Sequence, residues 1–248
     1  MHQIEQLPKP IIFAHRGASR YAPENTIYAF ERAISLGAAA IELDCMLSKD
    51  GIPVVIHDHT LERTTNGNGR VDEHTANDLL RLDAGSHFSE EFKGEKVPLL
   101  EEVLQRFGHH LLINIEMKNG HAPFNALVPV VVELVMRLEM TDSVLFSSFN
   151  PLNLVQLKKR LPTACVALLV DESFIGRKLA SPAFQMVSPE YINPSRAFIT
   201  QDFIAKEHAR GRQMNVWTVN DAQEASRFVE WGVDGLITDD PQILTAIP

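Results

Sequence analysis

Short apolar runs rich in Ile, Val and Leu alternate along the chain with longer amphipathic stretches, the pattern of parallel strands joined by crossover helices. Nine runs read as strands: IIFAH, AAIELDCML, IPVVIH, LLINIEMK, SVLFSS, ACVALLV, FQMVSPE, QMNVWTV and GLIT. Asp50-Gly51 lies between the second and third of these and signals a hairpin, so IPVVIH is expected to fold back antiparallel. Eight parallel strands then remain, which predicts an α/β fold of the TIM-type (β/α)8 class. Helices are expected over 25–36, 99–107, 124–138, 151–160, 201–210 and 221–231, several of them stopped by glycine. The rhythm breaks between about residues 58 and 97, where TTNGNGRV and other polar turns surround one short helical pattern. That stretch reads as a small insertion over one end of the barrel, and loops of such length are usually functional.

The alternation also exposes polar residues in places that should be apolar. In AAIELDC, Ile41, Leu43 and Cys45 share one face and Glu42 and Asp44 the other. In LLINIEMK, Ile113, Ile115 and Met117 oppose Asn114, Glu116 and Lys118. Barrel strands are covered on both faces, so carboxylates near their C-terminal ends point to the catalytic rim. Three converging carboxylates repel one another and are costly to desolvate unless a cation neutralises them. A hard divalent ion with oxygen ligands is the simplest compensation. If Asp50 and Gly51 form a two-residue tip, pairs across the hairpin sum to 101 and His57 lies opposite Asp44. His15 and Arg16 end the first strand, adjacent to the strand of Glu42 and Asp44 if sequential elements are neighbours.

Each residue has a plainer reading. A strand-terminal histidine more often satisfies a backbone carbonyl than performs chemistry, and Glu42 with Asp44 could be ion-pair partners of Arg16 or Lys118. What favours a site is the coincidence of complementary charges at the ends of several strands. Phe149 and Trp217 also end strands and could wall a pocket, although aromatic core packing serves equally. Asp239 and Asp240 read as capping or turning the chain before Pro241. The remaining histidines, including His59, His121 and His208, lie mostly in loops or at helix ends and read as solvated.

Composition narrows the class. A chain of 248 residues, 45% hydrophobic, suits one domain over 1–248. A formal charge of -9 offers no basic stripe for nucleic acid or an anionic membrane. Cys45 and Cys165 sit in apolar strand-like runs, as reduced core thiols would. With no leader-like start and no apolar stretch of about 18 residues, the expectation is a soluble, cytoplasmic protein without stable membrane association. A homo-oligomeric state is left open.

HRGA with PENT eight residues on, then IELD, KDGIPVVIHD, LERTTNGNG, INIEMK, VWTVN and GVDGLITDDP, spanning residues 11–241, together resemble the glycerophosphodiester phosphodiesterase family, most closely its small cytosolic bacterial members. The resemblance implies a TIM-type barrel with a small inserted domain. It also implies hydrolysis of glycerophosphodiesters, such as glycerophosphocholine and glycerophosphoethanolamine, to sn-glycerol 3-phosphate and an alcohol, with Mg2+ or Ca2+ as cofactor. Carried over position by position, Glu42, Asp44 and Glu116 would bind the metal and His15 and His57 would act as acid and base. Arg16 and Lys118 would hold the phosphate, with Glu24 orienting Arg16 or a histidine. Relatives commonly place His or Asn facing the substrate in the segment FQMVSPEYINPS, where Asn193 stands here. Which histidine is the base, and whether water or the substrate's own hydroxyl attacks, stay open at this point. Two other classes compete: a phosphodiesterase or lyase of similar fold acting on intact lipids, and a non-catalytic binding barrel, whose mark would be the loss of a histidine.

Overall fold

The computed structural model describes residues 2–119, 122, 125–188 and 190–244. The strands and helices, in chain order, are β1 (Ile11–His15), α1 (Ile27–Ser35), β2 (Ala40–Leu47), β3 (Pro53–Val55), α2 (Ala76–Leu79), α3 (Leu100–Phe107), β4 (Leu112–Met117), α4 (Leu127–Arg137), β5 (Val144–Ser148), α5 (Pro151–Arg160), β6 (Cys165–Val170), α6 (Phe174–Leu179), β7 (Tyr191–Pro194), α7 (Gln201–Ala209), β8 (Gln213–Val216), α8 (Ala222–Glu230) and β9 (Gly235–Thr238). The strand order β1-β9-β8-β7-β6-β5-β4-β2 closes on itself through a parallel β1–β2 pairing. That gives the expected parallel barrel, with β3 attached antiparallel to β2. Phe124, where the helix expected over 124–138 starts, and His121 lie outside the described residues. Among the described residues, no helix is long and apolar enough to cross a membrane.

Strand alternation sorts the side chains into two compartments. Ile41, Leu43 and Cys45 on β2, and Ile113, Ile115 and Met117 on β4, pack outward against the helices with Phe30, Leu104 and Val131. Ile11, Phe13, Ala40, Leu112, Leu145, Ala167, Tyr191 and Ile237 form a separate inner cluster, joined by Ile4 from the N-terminal segment. The lower interior is thus an apolar plug of the kind that fills such barrels. The next inward positions on β2 and β4 are Glu42, Asp44, Asn114 and Glu116, so the interior becomes polar toward the C-terminal ends of the strands. Cys45 and Cys165 are free and buried.

Two expectations are corrected. The hairpin pairs Cys45 with Val55 and Leu47 with Pro53, so partners sum to 100 and Ile56, whose N–H donates to the Asp44 carbonyl, takes the place expected for His57. The cause is a three-residue loop in which Gly51 adopts φ +77°, a common hairpin geometry that uses one left-handed residue. The seventh strand is Tyr191–Pro194 rather than FQMVSPE; Pro182–Val187 form 3-10 turns, and Met186 is 93% exposed. Met186 faces solvent while Phe184 and Val187 of that run pack on the core from 3-10 turns, and the true strand is only four residues long and carries the polar Asn193.

Residues 58–97 contain 3-10 turns and α2. Their Leu61, Val71, Leu79, Ala84 and Val97 pack with Met46, Val54 and Ile56 in a cluster of their own. The Asp83 carboxylate organises one turn by accepting from the backbone N–H groups of Gly85, Ser86 and Gly94.

Candidate active site

β1 ends in a sharp turn. Arg16 follows His15 at φ +57° and Gly17 at φ +84°. A Cβ on Gly17 would lie 2.7 Å from the backbone carbon of Ala29, so only glycine lets α1 approach the strand end this closely. The PENT segment fills the space beside this turn. Thr26 caps α1 by accepting from the Ala29 N–H at 3.2 Å. Asn25 donates to Asp44 Oδ2 at 3.0 Å, and Glu24 accepts from Arg16 Nη1 at 2.8 Å. Glu24 thus pairs with Arg16, one of the partners considered for it.

Parallel register brings the carboxylates together: His15 pairs with Glu42, Glu42 with Asn114, and Asp44 with Glu116. Ligand oxygens of Glu42, Asp44 and Glu116 all lie within 4.8 Å of one another. Arg16 Nε approaches Asp44 at 3.2 Å, and Lys118 Nζ approaches Asp44 at 3.4 Å and Glu116 at 3.2 Å. Burial would raise the Asp44 carboxyl, but Arg16, Lys118 and His57 outweigh it and hold the group well below the usual range. Burial and the neighbouring Asp44 and Glu116 charges push Glu42 well up. Glu116 is pushed up to about 7, mainly by burial, with Lys118 opposing. Three carboxylates share two cations, one of which, Arg16, also serves Glu24, so with all three ionised the cluster is net negative. Asp44 Oδ1 is buried and makes no hydrogen bond among the described residues, with the Lys118 ammonium 3.4 Å away. An oxygen-rich, net-negative cluster of this kind fits a hard divalent cation.

Both histidines reach the same place. A cavity of about 160 Å3 is lined by His15, Arg16, Glu42, His57, Glu116, Lys118, Phe149 and Trp217, among others. His57 arrives there although it has left the ladder, because the chain turns inward after Ile56. Its Nδ1 lies 2.5 Å from Asp58 Oδ1. His15 Nδ1 lies 2.6 Å from Asp239 Oδ1. In each case a carboxylate on Nδ1 fixes the tautomer and leaves Nε2 for other work. Asp58 is held down to about 2, first by its hydrogen bond from Arg63 and then by that from His57. Burial opposes the lowering of Asp239, but His15, Asn220 and Ser19 prevail. His57 itself is lowered by burial, with Arg16 and Lys118 adding to the effect against Asp44 and Asp58.

Phe149 and Trp217 meet edge to face across the mouth, with centroids 5.4 Å apart, and the Trp217 indole donates to the Asn193 carbonyl at 2.7 Å. Asn193 is itself fully buried, accepting from Asn215 at 3.1 Å, and does not line the cavity.

Sequence reading gave no site role to Asn25, Asp58, Arg63 or Asp239. Asp239 reads as a cap, yet β9 is the neighbour of β1 and pairs Thr238 with Ala14, which puts Asp239 beside His15. Barrel closure was the signal that could have found it. Arg63, within LERTTNGNG, donates to Asp58 at 2.5 Å and to both oxygens of Glu24 at 2.7 and 2.9 Å. It thereby joins the supports of His57 and Arg16, a contact between insertion and rim that no local pattern announces. His59, read as solvated, lines two further cavities beside Lys118.

Comparison with known proteins agrees with this geometry. Residues 15–243 match the sequence model of the Glycerophosphoryl diester phosphodiesterase family. A glycerophosphodiester phosphodiesterase of Caldanaerobacter subterraneus subsp. tengcongensis is 38% identical over 95% of this chain and 96% of its own. A phosphodiesterase of Oleispira antarctica, solved with its product sn-glycerol-3-phosphate, superposes with a TM-score of 0.85 at 30% identity over 96% of both chains. A glycerophosphodiester phosphodiesterase of Agrobacterium tumefaciens gives a TM-score of 0.81 at 31% identity over 95% of this chain and 99% of its own. The chain belongs to the glycerophosphoryl diester phosphodiesterase family.

Proposed function

We propose that the protein hydrolyses glycerophosphodiesters such as glycerophosphocholine and glycerophosphoethanolamine to sn-glycerol 3-phosphate and an alcohol, with one Mg2+ or Ca2+ held by Glu42, Asp44 and Glu116. The observation that carries this reading is the meeting of two carboxylate-held histidines, two cations and three carboxylates on one cavity. When bound, the divalent ion supplies Lewis-acid polarisation of a phosphoryl oxygen. Its charge would offset the three carboxylates around it and so favour a phosphodiester monoanion at the site.

The chain's own groups do the rest. Arg16 and Lys118 stabilise the non-bridging oxygens as charge redistributes in the transition state, and both are already fixed by carboxylates. One histidine removes the proton of the attacking oxygen and the other protonates the departing alkoxide. Asp239 and Asp58 keep the two rings oriented throughout. The segment 58–97 serves as a cover for the rim, with Arg63 tying it to Glu24 and Asp58.

The test is to incubate purified protein with a panel of glycerophosphodiesters, with chelator and with added Mg2+ or Ca2+, and to measure glycerol 3-phosphate. Release that stops on chelation and returns with either ion is expected. No release across the panel with ions present would contradict the reading.

A further inference from the structure

The chain itself occupies one oxygen of each carboxylate in the cluster. Glu42 Oε2 accepts from the Arg16 backbone N–H at 3.2 Å. Asp44 Oδ2 accepts from the Asn25 carboxamide at 3.0 Å, and Glu116 Oε1 from the Lys118 ammonium at 3.2 Å. Among the described residues, no hydrogen bond reaches the second oxygen of any of the three. Asp44 Oδ1 is the telling case, because it is fully buried and a buried anionic oxygen is costly to leave unpaired.

Asn25 governs that oxygen. It is 4% exposed and does not line the cavity, and its backbone N–H donates to the Arg16 carbonyl at 2.9 Å. Its carboxamide grips Asp44 twice, donating to Oδ2 and accepting from the Asp44 backbone N–H at 3.4 Å. Arg16 Nε at 3.2 Å and Lys118 at 3.4 Å attract the Asp44 carboxylate without hydrogen-bonding it. Among the described residues Asn25 alone therefore sets the rotation of this group, presenting Oδ1 and withholding Oδ2.

Three fixed single oxygens suit one hard cation better than another. Ca2+ takes about six to eight oxygens, often both from one carboxylate, in flexible surroundings. Mg2+ takes about six in a near-ideal octahedron and keeps several of its waters, so one oxygen from each carboxylate is enough. We propose that the cluster selects Mg2+ over Ca2+, with Asn25 as the positioning residue that confines Asp44 to a single oxygen. The assignment rests on the metal-dependent reading above and adds which ion the site prefers and what sets the preference.

Calorimetric titration of chelator-stripped protein with Mg2+ and with Ca2+ tests it without turnover. The wild-type protein should bind Mg2+ at least about threefold more tightly. Asn25→Gly accepts the backbone φ of +58° and releases Oδ2. It should move the Mg2+-to-Ca2+ affinity ratio about three- to tenfold toward Ca2+, near the worth of one hydrogen bond. A general loosening of the site would weaken both ions equally. A wild-type protein that binds Ca2+ as tightly as Mg2+ or more tightly overturns the assignment whether or not the variant folds. So does an unchanged ratio in a variant whose thermal melt in chelator shows it folded. Binding of neither ion would instead contradict the metal-dependent reading itself, so the two failures are told apart.

Discussion

The carboxylate of Asp239, at the end of β9, accepts a hydrogen bond from Nδ1 of His15, at the end of β1, at 2.6 Å. Barrel closure makes these two neighbours although they stand 224 positions apart in the chain. Ser19 and Asn220 hold the same carboxylate at 3.1 and 2.5 Å, so the ring is fixed by a braced partner. Asp239→Asn should lower kcat about 10- to 100-fold, the usual cost of losing an outer partner that sets a tautomer, with the thermal midpoint little changed. A wild-type kcat would show that the contact is structural only.

Arg63 makes the parallel prediction on the other side. Its planar fork meets Glu24 through two nitrogens and Asp58 through a third, a geometry that lysine cannot reproduce. Arg63→Lys should reduce kcat/KM several-fold while costing little stability, since the side chain is half exposed. Steady-state kinetics beside a thermal melt separates the two. An unchanged kcat/KM would detach the insertion from the chemistry.

The turn after His15 should tolerate no side chain. Gly17→Ala places a methyl group 2.7 Å from Ala29 at a backbone φ of +84°. The overlap alone should cost about 1–3 kcal/mol, with the left-handed conformation adding to it. Urea unfolding measures the loss, and a midpoint equal to wild type would contradict the packing described for α1.

The carboxylate cluster predicts a pH dependence with a definite sign. Glu42 and Glu116 are raised in the folded protein, Glu116 to about 7, by burial first. Without a cation the folded state therefore holds protons that the unfolded chain releases near pH 4.5, so this contribution to stability is full below that pH and declines as pH rises through about 7. Asp44 is shifted the other way, and its effect falls below about pH 4, outside this window. Chelated protein should thus melt lower at pH 8 than at pH 5.5. Added Mg2+ or Ca2+ should raise the midpoint more at pH 8, because the ligands must be deprotonated. A cation effect independent of pH, or absent, would argue against these three residues as ligands.

Much of this was legible before any coordinates. Period-two alternation separated Glu42 and Asp44 from Ile41 and Leu43, and Glu116 from Ile115, because a strand covered on both faces has no reason to carry carboxylates. The hairpin was legible but its register was not. Asp50-Gly51 fits both a two-residue and a three-residue loop, and only the left-handed Gly51 at the third loop position decides between them. The seventh strand escaped because Tyr191–Pro194 is short and carries Asn193 inward, while the apolar run before it turns Met186 to solvent. Asp239 and Arg63 act across closure and across an irregular loop, and periodicity says nothing about either.

The account depends most on His57, whose side chain reaches the cavity by leaving its strand rather than by pairing. The most direct measurement is the rate of glycerol 3-phosphate release by His57→Ala, under conditions where the variant is folded and binds the divalent cation as wild type does. A fall of about 100-fold or more is expected for loss of a general acid or base. Turnover near that of wild type would contradict it.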